Sequence, residues 1–146
     1  MARPRHQHDQ PDEPDRLLAE VEAACSDRSL RLTELRRRVL ELIARERKPV
    51  KAYDLLDRLR AERTGAAPPT VYRALDFLLA NGFIHKLESI NAYTSCHHPN
   101  TRHTVPFLIC DVCAGATELC DDRVSLLLVE QARDAGFLPE AQTLEV

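Results

Sequence analysis

Between His85 and Cys113, in the stretch HKLESINAYTSCHHPNTRHTVPFLICDVC, the chain places four of its six histidines and three of its five cysteines. Thiolate and imidazole are the ligands that divalent zinc prefers, whereas packing alone would fill such a segment with Leu, Val and Phe. The stretch therefore reads as metal binding, and any fold for this chain has to gather those side chains.

At 146 residues and 44% hydrophobic content, the chain supports one ordinary domain or two small ones, with a core that needs no disulfides. It reads as a soluble globular protein with no membrane partner. The beginning, MARPRHQHDQPDEPDR, has charges and prolines where a secretory signal has its apolar core, and a cytoplasmic location is the expectation. In that reducing compartment, five cysteines that include a Cys-x-x-Cys pair point to metal rather than to a disulfide framework.

The net charge of -3 conceals an asymmetry between the halves. Residues 31–73 hold 12 Lys and Arg against 6 Asp and Glu, whereas residues 87–146 hold 3 against 9. A nucleic-acid face, if present, belongs to the basic first half, since phosphate repels the acidic second half. Charge alone favours the plainer reading of solvated helix faces.

Residues 1–13 are polar, proline-bearing and without period, and are expected to be a disordered tail. Helical spacing follows from Asp15 to Ala24. A second helix starts behind Thr33 as N-cap, with Leu35, Val39, Leu40, Leu42 and Ile43 as its apolar stripe. A third runs from Ala52 to Glu62, and a fourth from Thr70 to Ala80, ended by Asn81-Gly82. Strands over residues 83–87 and 92–95 would close a hairpin wing, so residues 14–89 read as a winged helix-turn-helix unit. Residues 90–146 follow with strands at 104–109 and 116–119, a helix from Arg123 to Ala135 stopped by Gly136, and a last strand within 137–146. The expected class is α+β, the second unit being a small α/β domain that needs metal or a partner chain for stability.

Three strings in this order, KPVKAYDLLDRLR, APPTVYRALDFLLANGFIHKLESINAYTSC and HTVPFLICDVC, resemble the ferric uptake regulator (Fur) superfamily, specifically its zinc uptake regulator branch. The resemblance spans residues 31–146. It implies a homodimeric, metal-dependent repressor of zinc-uptake genes that binds palindromic operators on double-stranded DNA through an N-terminal winged helix, with a C-terminal α/β dimerisation domain.

The resemblance further implies a regulatory zinc site of His85, Cys96, His103 and Glu118. One thiolate, two imidazoles and a carboxylate make a closed tetrahedral set of the kind zinc takes when no substrate position is kept open. Glu88 is also near in sequence, but the register favours Glu118. His97 and His98 are alternates, parts of a secondary site, or plain loop histidines. Cys110 and Cys113 match the first half of a structural four-cysteine zinc site. The second pair is expected after the final strand, and the sequence reaches Val146 without it. The dimerisation unit therefore reads as lacking its C-terminal end, or the structural site as incomplete and served by Cys120 or water. Ala114-Gly115 follows the pair where relatives usually have Gly first.

On the DNA side, Arg73 is the candidate base reader because a guanidinium pairs bidentately with guanine O6 and N7, with Tyr72 beside it. Thr70 and Tyr53 are expected at phosphates or thymine methyls, and Lys51 with Arg36, Arg37 and Arg38 at the backbone. Val71, Leu75, Leu78 and Leu79 read as core. Asp57 and Arg60 either pair with each other or, as the resemblance implies, bridge two dimers side by side on one operator. The alternatives are an iron or peroxide sensor of the same family, a zinc enzyme, and a zinc-ribbon interaction module. Cys96 in the ligand set favours zinc over iron, and the chain has no His-Glu-x-x-His helix, no Gly-x-Ser-x-Gly elbow and no Gly-rich phosphate loop for an enzyme.

Overall fold

A computed structural model describes residues 13–62, 67–99, 106–140 and 143–146. The expected tail, apart from Glu13, and His103 lie outside the described residues.

Helix α1, Glu13–Asp27, buries Leu17, Leu18, Val21, Ala24 and Cys25, one stripe at helical spacing. It includes Glu13, the last residue of the expected tail, and runs three residues past Ala24. Its end is a Schellman turn: the Leu30 N–H donates to Cys25 O at 2.8 Å and the Ser29 N–H to Ser26 O at 3.3 Å, with Ser29 left-handed at φ 54°. Helix α2, Glu34–Ala44, starts where the Thr33 hydroxyl accepts the Arg36 N–H. Helix α3, Ala52–Ala61, buries Leu55, Leu56 and Leu59.

Helix α4, Pro68–Ala80, begins two residues before the expected Thr70. Both prolines occupy the first helical turn, where a missing N–H costs nothing because no intrahelical acceptor waits for it. The helix ends as Asn81-Gly82 foretells: Gly82 takes φ +74° and the Phe83 N–H donates to Leu78 O at 3.0 Å.

Strands β1, Ile84–Leu87, and β2, Ala92–Ser95, pair antiparallel with His85 opposite Thr94. Val50, between α2 and α3, adds a third rung by exchanging two 2.8 Å hydrogen bonds with Tyr93. One hydrophobic cluster joins the four helices to this hairpin and contains Val39, Leu40, Ile43, Leu55, Leu59, Val71, Leu75, Leu78 and Phe83. That arrangement is a winged helix, with α4 as the second helix of the turn.

Strands β3, Phe107–Ile109, and β4, Ala116–Glu118, form a second antiparallel pair. Helix α5, Asp122–Asp134, is capped by the Asp121 carboxylate and closed by a Schellman turn at Gly136. The last expected strand is shorter than residues 137–146 suggested. Among the described residues only its end pairs, through Phe107 N–H to Leu144 O at 2.9 Å, Val146 N–H to Phe107 O at 2.9 Å and Ile109 N–H to Val146 O at 2.7 Å. Phe137 is taken up by the helix cap, and Pro139 has no N–H to give a ladder.

Helix α5 buries none of its residues, and Leu126, Leu127, Leu128, Phe137 and Leu138 are exposed. No described helix is long and apolar enough to cross a membrane.

Candidate functional site

His85 sits on β1, Cys96 just beyond β2, and Glu118 at the end of β4. One ligand atom of each lies within 4.8 Å of the other two. Ligand atoms around a tetrahedral zinc, with bonds of about 2.0–2.3 Å, lie roughly 3.5 Å apart, so a shift of about an ångström brings these three to bonding geometry. The donor set suits zinc as well as the spacing does: thiolate, imidazole and carboxylate, with room for one more.

Local structure places each donor. The Cys96 N–H donates to Phe83 O at 3.1 Å, carrying the wing ladder one rung past β2, and the Leu119 N–H donates to Pro106 O at 2.8 Å, doing the same for β3 and β4. The His85 ring packs edge-on against Phe107 at 5.1 Å between centroids, so the first residue of β3 sets the imidazole plane. His85 Nε2 is sealed from solvent and stands 3.9 Å from Glu118 Oε1. Among the described residues, Glu118 is the one buried charged side chain. Its other oxygen, Oε2, accepts the His97 N–H at 3.2 Å. Glu88 is instead exposed at the wing turn, where it pairs with Lys86 at 3.4 Å.

Burial pushes the Cys96 thiol up to about 12, the His98 N–H works against that, and Glu118 and Cys120 add to it. A thiol so placed is neutral at physiological pH until a cation replaces its proton. His98 and Cys120 flank the site on its solvent side: both are exposed, with Cys120 Sγ 3.7 Å from His98 Nε2. The His97 ring points elsewhere, to Glu13 at 2.8 Å.

Cys110 and Cys113 form a compact turn behind β3. The Ala114 N–H donates to Cys110 O at 2.8 Å, the Cys110 N–H to Gly115 O at 2.8 Å, and the Gly115 N–H points at Cys113 Sγ at 3.4 Å. Backbone N–H groups of Cys113 and Val112 hold the Cys110 thiol below its ordinary value, and the Cys113 thiol lowers it further. N–H groups aimed at sulfur are what a thiolate pair needs. Among the described residues no third ligand joins the pair, and Cys120 stands with His98 instead. Ala114 holds the left-handed φ of 57° that glycine would take without strain.

The DNA residues expected on α4 and at the start of α3 are all exposed. Thr70, Tyr72 and Arg73 are exposed on α4, and Lys51 and Tyr53 are exposed at the start of α3. Tyr53 is 69% exposed and Tyr72 48%, high for aromatic rings. The three arginines of α2, expected at the DNA backbone, have partners within the chain. Arg36 lies over the Phe77 ring at 3.8 Å, Arg37 pairs with Glu22 at 2.6 Å, and Arg38 bridges Glu62 and Glu41. Glu22 on α1 and Glu62 just past α3 are partners that sequence distance hides. Asp57 and Arg60 are exposed on α3, and no ion pair joins them among the described residues.

Two side chains that tie distant parts of the chain have no local signature. Arg28 donates to Asn81 O and to Pro99 O, each at 3.2 Å, and lies over the Phe83 ring. Glu145 accepts N–H groups from Glu88 at 2.6 Å and Ser89 at 2.9 Å.

The sequence pattern of the ferric uptake regulator family matches residues 27–146. The chain belongs to that family. It is 44% identical over 130 residues to the zinc uptake regulation protein of Escherichia coli (strain K12), covering 88% of this chain and 76% of that protein. A zinc uptake regulator complexed with zinc and DNA is 42% identical, with a TM-score of 0.86 over 91% of this chain and 89% of the other. XcZur is 59% identical. Its holo form matches with a TM-score of 0.83, covering 90% of this chain and 92% of that one, and its apo form with 0.59, covering 92% and 93%.

Proposed function

We propose that this chain is a zinc-responsive transcriptional repressor, a cytoplasmic homodimer that binds palindromic operators of zinc-uptake genes when its sensing site is filled. It is a regulator and not an enzyme. One observation carries the reading: His85, Cys96 and Glu118 converge from the wing and from the second sheet on one point. The relatives named for zinc uptake regulation, one of them complexed with zinc and DNA, support it.

His85, Cys96 and Glu118 are the proposed zinc ligands, with His103 as the fourth, and Cys110 and Cys113 are proposed to hold a structural zinc in part. Bound zinc supplies a fixed positive centre for this ligand set. Glu118 is buried beside His85, and a buried carboxylate is costly unless a cation compensates it. Occupancy therefore favours the arrangement in which β1, β2 and β4 meet. The better overlay on holo than on apo XcZur, at the same 59% identity, accords with that.

The proposed division at residues 89 and 90 falls between β1 and β2; with β2 kept beside its partner β1, the wing stays in a DNA-binding unit and β4 in a dimerisation unit, so the ion spans the junction. In a dimer it sets the spacing of two α4 helices, and DNA must tighten zinc in return. The exposed leucines of α5 supply the apolar face that a second copy covers. Arg73 and Tyr72 are proposed to read bases, Thr70, Tyr53 and Lys51 to hold the backbone, and Asp57 with Arg60 to join neighbouring dimers.

The decisive experiment is operator binding across buffered zinc, iron and manganese activities, with Cys96→Ser alongside. Binding that follows zinc and is lost in the variant supports the reading. Binding that follows iron, or a variant with full zinc-dependent binding, overturns it.

A further inference from the structure

Two of the sensing ligands, Cys96 and Glu118, are poorly placed to meet an ion from solution. Cys96 is 1% exposed and the Glu118 side chain likewise 1%. Zinc exchanges its ligands stepwise, and an ion that must lose all its water before its first protein bond enters slowly. The neighbouring thiol and imidazole are placed differently. Cys120 and His98 are both exposed, and their ligand atoms stand 3.7 Å apart, close to the separation of two ligands on one ion.

These two groups also touch the sensing set. Cys120 lies two residues beyond Glu118 and its sulfur contacts the Glu118 carbonyl at 4.0 Å. His98 lies two residues beyond Cys96, and the intervening His97 N–H is held by the Glu118 carboxylate. The exposed pair therefore abuts the buried ligands from the solvent side.

We propose that Cys120 and His98 form an entry site for zinc, which they capture first and then pass to Cys96, Glu118 and His85. Cys120 gives its proton to solvent as its bond to the metal forms, and takes one back as Cys96 displaces it and loses its own. The ion keeps two or three protein ligands throughout and never has to shed its shell in one step. This role rests on the sensing site proposed above. It makes Cys120 and His98 determinants of how fast the regulator responds, and not of the zinc activity at which it responds.

The test uses the full chain with Cys120→Ser, His98→Gln and the double variant. Both positions are exposed, so neither substitution disturbs the core, and Cys110 and Cys113 are unchanged in all three. Zinc is supplied from a chromophoric chelator and its transfer followed by stopped flow, with affinity measured by chelator competition. Loading and release should both slow by about tenfold while affinity stays within about threefold. An unchanged loading rate overturns the proposal. So does an affinity loss of about 100-fold, which would make Cys120 or His98 a permanent ligand. A parallel Cys96→Ser chain keeps the two readings apart. It should retain fast, weak capture, seen with Co2+ as thiolate charge-transfer absorbance above that of Cys110 and Cys113, an increment that is lost when Cys120→Ser is added. Tight zinc binding in Cys96→Ser would instead sink the sensing site, whereas the Cys120→Ser loading rate still decides the entry site.

Discussion

The carboxylate of Glu145 accepts the backbone N–H of Ser89 at 2.9 Å, and its second oxygen takes the neighbouring Glu88 N–H. The chain's last residues thereby hold the turn of the wing. Burial raises the Glu145 carboxyl, but the Ser89 hydroxyl and the two N–H groups outweigh it and leave the group below its ordinary value. A depressed carboxyl stabilises the fold above its unfolded value of about 4.3, and that contribution is lost as pH falls through the folded value. The Glu88 and Ser89 amide resonances should accordingly titrate together below about pH 4.3. In Glu145→Gln that titration should vanish, with stability near neutral pH lower by about 1 kcal/mol in denaturant unfolding.

Cys96 predicts the opposite sign. Its thiol is raised to about 12 without metal, so the folded chain keeps it neutral while the unfolded chain ionises it above about pH 8.5. The metal-free protein should lose stability progressively from about pH 8.5 upward, and Cys96→Ser should remove that part of the loss. Zinc affinity should rise about tenfold per pH unit between pH 7 and 8 for the thiol proton released, as competition titrations would record.

Arg73 and Lys51 should separate specificity from affinity. Arg73→Ala is expected to cost about 1–3 kcal/mol on the operator and little on random duplex. Lys51→Ala should weaken both alike and lower the salt slope by about 1. Fluorescence anisotropy over a salt series measures both, and equal loss on the two duplexes for Arg73→Ala would make it a phosphate contact.

Ala114 and Gly82 share a left-handed backbone with opposite residues in it. Ala114→Gly should raise thermal stability by about 1 kcal/mol by relieving the strain at Cβ. Gly82→Ala should cost about as much, and since nothing lies within 4 Å of the added Cβ the cost is purely conformational.

Helix α5 gives a test of assembly. Leu127 is 56% exposed among neighbouring exposed leucines, so Leu127→Glu should leave the wing intact and yield a monomer by sedimentation. An unchanged dimer would place the interface elsewhere.

Much of this molecule is written locally. The apolar stripes of α1 to α4, the Thr33 cap, the Gly82 and Gly136 stops and the donor-rich segment from His85 to Cys113 all depend on residues within a few positions of each other, so spacing alone reveals them. The kinds of ligand present, and hence the preference for zinc, are also a property of the chain as written. What the chain alone leaves open is partnership over long separations. Glu118 rather than Glu88 meets His85 because β4 ends against the wing and buries that carboxylate, whereas the hairpin turn leaves Glu88 in water. The contacts of Arg36 with Phe77, Arg37 with Glu22 and Arg38 with Glu62 are likewise set by packing and not by spacing. Cys120 turns to His98 and not to the Cys110 pair, and Glu145 finds the wing, for the same reason. A hydrogen bond or a metal bond acts over a few ångströms, and only the packed core decides which distant residues come that close.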